Sequence, residues 1–357
     1  MFLALREIRH AKVRFLAICA VVFLLSYVVY FLTGLAYGLA SSYTEVLTRW
    51  NAQSITLTEE SNANALASRM DAAQLEYDPS SSALWQVTAT AVPALDNSTD
   101  ARVNVYLFAT DVDSFLIPEP SSGTAPASPS QVLADSTLQR SGYHVGSSLS
   151  IPHISTPVTI SGFVDHARFQ AAPVIFLSPA LFSQAAQLPS GTRLVNAVVS
   201  TDENAAVQYH GNDAHLVTLS TKKFIDELPG YRAQYLTFGL MIGALIAILS
   251  LVLGIFMYVL TLQKKHVFGV MKAQGIPTSY LARSGAIHTL LITVVGVGLG
   301  LLAAVASGIA LSSKVPFAVN PLLFTAVSIA FIVFTLIGSI FPISIISRVD
   351  PLEAMNA

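Results

Sequence analysis

The sequence predicts a polytopic α-helical membrane protein: four transmembrane helices, one plus three, with an α+β extracytoplasmic domain between helices 1 and 2. The first ground is composition. Of 357 residues, 53% are apolar and only 11% charged, against roughly 25% charged in soluble domains, so too little polar surface remains to cover a globule in water. The second is four long apolar runs, Phe15 to Ala40, Leu236 to Leu262, Ala286 to Leu311 and Leu322 to Ile346, none of which contains Asp, Glu, Lys or Arg. Each can cross a hydrocarbon core, which takes about 20 residues of helix. The third is the distribution of basic residues, which stay cytoplasmic near the spans. Arg6, Arg9, Lys12 and Arg14 precede the first run, Lys264, Lys265, Lys272 and Arg283 lie between the second and third, and Arg348 follows the fourth. The long segments on the other side are sparse in Lys and Arg by comparison. Both termini are therefore assigned to the cytoplasmic side.

The elements follow in order. Residues 1–14 read as an amphipathic interfacial helix, with Phe2, Leu3, Leu5 and Ile8 for the lipid boundary; a simple topology anchor fits the same residues. Residues 15–40 form the first span. A cleaved signal peptide would have an apolar core of roughly 7–15 residues, and this run is much longer. Cys19 stands alone inside it, so the outside domain, residues 41–235, folds without disulfides.

That domain alternates with strand periodicity at Ser54 to Thr58, Arg102 to Phe108 and Val158 to Val164, with helical patches at Pro179 to Leu188 and Thr221 to Leu228. Its stretch from Pro118 to Ser130, rich in Pro, Ser and Ala, reads as a mobile loop. Residues 236–262, 286–311 and 322–346 are the remaining spans. Residues 263–285 form a cytoplasmic segment, 312–321 a short outside loop and 347–357 a cytoplasmic tail.

The cytoplasmic segment carries the most specific pattern. Lys264 to Gly275 is basic yet keeps Val267, Phe268, Val270 and Met271, apolar side chains that gain by burial against a partner. Gly275 and Pro277 break it before the next span.

Phe268-Gly269-Val270-Met271-Lys272-Ala273-Gln274-Gly275, the tail Asp350-Pro351-Leu352-Glu353-Ala354-Met355 and the glycines Gly296, Gly298 and Gly300 resemble the permeases of the MacB/FtsX superfamily, the mechanotransmission class of ABC systems. His266 departs from that pattern, standing where the family usually has an acidic residue. The resemblance implies that Val267, Phe268, Gly269, Met271, Lys272 and Gly275 couple to a cytosolic ABC ATPase present in two copies. Within the superfamily, Phe31 to Ala40, Leu5 to Ile8, Lys12 to Phe15 and Leu57 to Asn64 look like bacterial haem-exporter permeases. That second likeness implies a homodimer that clears haem, or a similar amphiphile, from the membrane.

Catalytic residues and metal ligands are not expected. The chain has no G-x-x-x-x-G-K-[ST], so ATP belongs to a partner subunit, and His144, His153, His166, His210 and His215 lack paired ligand spacing. No permanent cofactor and no nucleic-acid partner are expected; self, the ATPase and membrane lipid are.

Tyr27, Tyr30, Gly34, Tyr37, Ser41 and Glu45 recur at steps of three or four and share one helical face. Ferric haem accepts phenolate as an axial ligand, and Arg49 or Arg232 could pair with its propionates. Tyr231 and Tyr235 stand at the start of the second span. An ordinary interfacial aromatic belt explains the same tyrosines. Rival functions are a non-transporting regulator of an extracytoplasmic enzyme and a lipoprotein- or peptide-exporting permease.

Overall fold

A computed structural model of the chain describes residues 12–93, 102–111, 113–189, 191–211, 215–263, 265–311 and 315–348. Most of the expected interfacial helix, Lys264 and the Asp350 to Met355 motif lie outside the described residues. The helices are α1 (Lys12–Ser42), α2 (Glu45–Arg49), α3 (Pro179–Ala185), α4 (Thr221–Glu227), α5 (Tyr231–Gln263), α6 (Lys265–Ala273), α7 (Thr278–Leu311) and α8 (Pro321–Arg348). Two compact units result, one of Met1–Gly38 with Tyr235–Ala357, the other of Leu39–Gln234.

In the first unit, α1, α5, α7 and α8 supply four helices long and apolar enough to cross a membrane. A helix satisfies its own backbone groups, which is what makes such runs stable in lipid. Apolar side chains gain little by leaving lipid for one another, so close backbone approach at small residues becomes the means of association. Glycines mark where this happens. A Cβ on Gly296 of α7 would lie 2.6 Å from Val22 of α1, and one on Gly300 would strike Ser26. The Ser26 hydroxyl meanwhile donates to the Gly296 carbonyl at 3.2 Å. Gly298 meets open space.

A second close pairing joins α5 and α8. Gly338 lies against the Ser250 carbonyl, and the Ser250 hydroxyl donates to the Phe334 carbonyl at 2.6 Å. The loop before α8 inserts Phe317 between Gly34 of α1 and Gly308 of α7, where it stacks on Phe31 at 5.7 Å. Ala318 N–H donates to the Gly34 carbonyl at 3.1 Å.

The second unit is built on a closed ring. Its strands are β4 (Ser81–Pro93), β5 (Val103–Ala109), β11 (Ala172–Leu177), β7 (Gln131–Asp135), β9 (Val158–Val164) and β8 (Ser148–Ser150), which returns to β4. The β5–β11 and β7–β9 pairs are parallel, the other four antiparallel, so the directions close consistently into a small barrel. Alternate residues explain its two cores, because a strand sends successive side chains to opposite faces. Leu107, Val132, Ala134, Ile160 and Ile175 belong to one cluster, Tyr106, Phe108, Leu133, Val174 and Phe176 to another that takes Val46, Leu47 and Trp50 of the α2 region.

The first half of β4 also pairs β13 (Ala197–Ser200), which continues through β1 (Ser54–Thr58) to β15 (Leu216–Ser220), all antiparallel. Short strands complete the domain: β2 (Met70–Asp71) with β12 (Leu194–Val195), β3 (Leu75–Tyr77) with β14 (Val207–Tyr209), and β10 (Arg168–Phe169) with β11.

One sequence expectation needs correction. The Pro118 to Ser130 stretch contains β6 (Ser122–Gly123), antiparallel to β9 at Phe163 and Gly162. Ser121 and Thr124 N–H groups donate to the Phe163 and Ser161 carbonyls at 2.8 and 2.9 Å. Gly123 takes φ +84°, and Gly162 opposite has no side chain to block the approach. Prolines on either side do not prevent a two-residue edge strand, since they remove no donor that this pairing uses.

Candidate functional site

The segment assigned to ATPase coupling folds as α6, which follows α5 after Lys264. Its end is a Schellman motif: Gly275 takes φ +86°, Ile276 N–H donates to the Met271 carbonyl at 3.1 Å and Gly275 N–H to the Lys272 carbonyl at 2.9 Å. A side chain other than glycine would be strained at that φ, which is why the sequence places Gly there. Pro277 cannot continue the helix, and α7 begins at Thr278. Val267 is 52% exposed. Gly269 is buried, while Val270, Met271 and Lys272 are half-buried. Phe268 stands on the same helix, and its side chain lies outside the described set.

The structure divides the tyrosine stripe of α1. Tyr27 stacks between Phe23 and Phe31 at 6.4 and 5.9 Å, and Phe31 passes the stack on to Phe317. The result is a ladder of four aromatic rings. Tyr30, three residues on, is fully buried against Phe324 and Phe331 of α8, its hydroxyl 2.6 Å from that of Ser328. Tyr30 therefore packs helices and does not join a shared face with Tyr27. Tyr37 is half-buried. On α5, Tyr235 is 67% exposed, as are many apolar side chains after it, including Leu240, Leu251 and Ile255.

Glu45, Arg49 and Tyr231 belong to a different arrangement in the β-rich unit. The Glu45 carboxylate accepts both the Nε and Nη2 of Arg168, at 2.8 and 2.5 Å, a bidentate pair of the strong kind. Arg49 donates to the carbonyls of Asp165 and Glu119, at 2.6 and 3.3 Å. Tyr231 packs its ring 6.0 Å from that of Tyr43, and Arg232 is exposed.

The β10–β11 hairpin turns at Gln170 and Ala171, both with positive φ, +47° and +64°. Such a two-residue turn ordinarily takes Asn-Gly, because left-handed backbone is costly for residues with a Cβ. Here the strained turn finds a use. The N–H groups of Gln170 and Ala171 donate to the carbonyls of Tyr43 and Ser42, both at 3.1 Å, and carbonyls at the end of a helix lack partners of their own.

A second carboxylate supports this clasp. Asp135, 1% exposed, caps the 3-10 turn Ser136–Ser141 through Thr137 and accepts Ala167 N–H at 2.8 Å. Burial pushes its carboxyl above the ordinary aspartate range, against the hydrogen bonds from Thr137 and Ala167. Burial would lower Arg168, but the hydrogen bonds and charge of Glu45, with the field of Asp135, more than offset it and hold the guanidinium pKa above its ordinary value. Asp165, near the surface, is held below the usual range chiefly by a hydrogen bond from Ser136. Sequence reasoning missed Arg168 and the Gln170-Ala171 turn, because that dipeptide lacks a hairpin signature. Among the described residues no group of His, Cys, Asp and Glu could hold a metal ion.

Residues 233–351, which take in α5 from its third residue and all of α6 to α8, match the family described as FtsX-like permease C-terminal. Over its whole length the chain is 24% identical to 99% of a protein of Staphylococcus haemolyticus described as a candidate hemin transport system permease protein, HrtB. It is 23% identical, again over its whole length and 99% of the relative, to proteins of two Staphylococcus epidermidis strains given the same description.

Proposed function

We propose, from the premise that this chain is a permease subunit with an FtsX-like domain, that it acts as a homodimer and exports haem or a similar membrane-dissolved amphiphile. The subunit is the non-catalytic, multi-pass component, and FtsX-family permeases pair with an ABC ATPase. Two ATPase copies, each holding the ATP, would grip α6 from the cytoplasm, with both termini on that side and the β-rich unit outside. Closure of the ATPases would push α6, tilt α5 as a lever and squeeze substrate out of a space between the two copies. No cofactor is held permanently.

One observation carries the substrate: the match to the relatives described as hemin transport permeases runs the full length of both chains. The flat aromatic ladder on α1 and the exposed apolar face of α5 supply surfaces suited to a flat apolar ring. Tyr37 and Tyr235 are the polar candidates within that unit, with Tyr27 stacking. Glu45 is engaged by Arg168, so its part in binding requires that pair to open.

Titration of the chain in lipid nanodiscs with ferric haem tests this reading. Saturable binding with an oxygen-ligated spectrum is expected. Tyr37→Phe should weaken it about tenfold, which corresponds to about 1.4 kcal/mol, while changes at His144 or His210 leave it unaltered. Glu45→Ala and Arg168→Ala should act alike if Glu45 serves only the clasp, and differently if Glu45 touches haem. Haem uptake no greater than that of empty nanodiscs would defeat the proposal and favour a non-transporting lever, for which the clasp is the supporting feature.

A further inference from the structure

Within the β-rich unit a cavity of about 440 Å³ lies beside the barrel, bounded by Phe108, Leu133, Phe176 and Ile117 on one side and by the 125–129 segment on the other. Its wall follows from strand register. Phe176 sits opposite Phe108 in the parallel pair and opposite Leu133 in the antiparallel one, so three apolar side chains form a row across neighbouring strands. The two rings meet edge to face at 6.2 Å.

The opposite side is made of Ala, Pro and Ser, side chains too short to fill the space above the row. That segment is exposed and is fastened mainly at its ends. Thr124 N–H bonds the Ser161 carbonyl at 2.9 Å, Ala127 N–H bonds Gln131 Oε1 at 2.7 Å, and Ser178 Oγ donates to the Pro129 carbonyl at 3.3 Å.

The lining decides the chemistry. It contains no charged residue, so neither a haem propionate nor a phosphate finds a counter-charge there. Its polar side chains are engaged with protein: Gln131 and Ser178 hold the covering segment, Ser128 lies 3.2 Å from Ser130, and Thr110 bonds the Ala83 carbonyl at 2.9 Å. The volume falls within the range of about 300–1,000 Å³ typical of small-molecule sites, which are mostly apolar.

We infer that this cavity binds the hydrocarbon chain of an amphiphile, with the polar head left in solvent at the exposed 125–129 rim. The inference does not depend on haem export, since haem needs cations that this lining lacks. Two sources share the chemistry: a free long-chain fatty acid and the acyl chain of a bilayer phospholipid.

The test uses the full chain in lipid nanodiscs, a hexadecanoic acid bearing a diazirine at its far end in one arm, and a phosphatidylglycerol with the same modified chain in the other. After illumination, labelled peptides are mapped by mass spectrometry. Label concentrated in residues 108–133 and 174–179 is expected, and the arm that gives it identifies the source. Ala127→Trp, which fills the space, and Ala125→Asp, which charges its rim, both change exposed residues. Each should reduce that label by roughly tenfold, as loss of good apolar contact does, without lowering the unfolding temperature. Absence of label there in both arms, or label that neither variant reduces, would overturn the inference.

Discussion

At the scale of single residues, the clasp depends on a buried carboxylate whose cost and use are separable. Asp135 accepts from both Thr137 and Ala167, so Asp135→Ala should destabilise the protein by about 1–3 kcal/mol for the donors left without a partner. Its folded pKa is raised from 3.8. The stability contributed by that shift is fully present below the unfolded value and is lost as pH rises through the raised folded value. In wild type the Asp135 contribution should therefore fall as pH climbs from about 3.8. Asp135→Asn, which keeps one of the two acceptor oxygens and cannot ionise, should flatten this part of the profile whatever its constant cost in stability, as followed by thermal unfolding of the purified protein across pH. An unchanged slope would mean that Asp135 titrates normally in the fold. None of this was legible in the sequence, where Asp135 is one acid in a polar stretch; what gives it meaning is Ala167, 32 residues away, brought close by the parallel β7–β9 pair.

At the scale of elements, legibility followed locality. Strands Ser54–Thr58 and Val158–Val164 have the bounds read from alternation, and the long apolar runs form helices because a helix satisfies its backbone groups within one segment in lipid. The Gly275 and Pro277 break was readable for the same reason, since one residue's φ and another's missing N–H act on the chain alone. The tyrosine stripe was less legible. Helical spacing put Tyr27 and Tyr30 near each other but did not say that α8 would bury Tyr30 completely. The same limit hid β6, whose pairing depends on Gly162 being small rather than on any strand propensity of Pro-Ser-Ser-Gly.

For α6 the exposed Val267 gives a direct test of the coupling proposal. Val267→Asp should leave insertion intact and reduce co-purification of the ATPase, or its stimulation by the permease, by about tenfold if roughly 1.4 kcal/mol of apolar contact is lost. Normal complex and normal hydrolysis would remove α6 from the interface.

At the scale of the whole molecule, the one-plus-three order of spans was legible from hydropathy, and the mixed β-rich domain only in class. A barrel with two parallel pairs cannot be read from alternation, which fixes the faces of a strand and not its neighbours. Orientation is a separate matter, resting on the basic residues near the spans. Single cysteines at Ser122 and Ser279, both exposed, in a Cys19→Ala background, should react with an impermeant thiol reagent on intact cells at Ser122 only. Reaction at Ser279 without lysis would invert the assignment.

The closed ring also sets an order of events during biosynthesis. β4 reaches its β5 partner within a few tens of residues, yet the ring remains open until β7, β9 and β11 have been made, since β11 bridges β5 to β7. Non-local and parallel pairings of this kind fold slowly, because chain closure must be completed before contacts reward it. For that interval β4 and β5 present unpaired edges rich in Val, Ala, Leu and Phe, the kind of surface on which nascent chains aggregate. By then α1, which precedes every strand in the chain, has already been synthesised. An anchored first helix keeps those edges tethered singly, at the membrane, until Ala172–Leu177 arrives to complete the barrel.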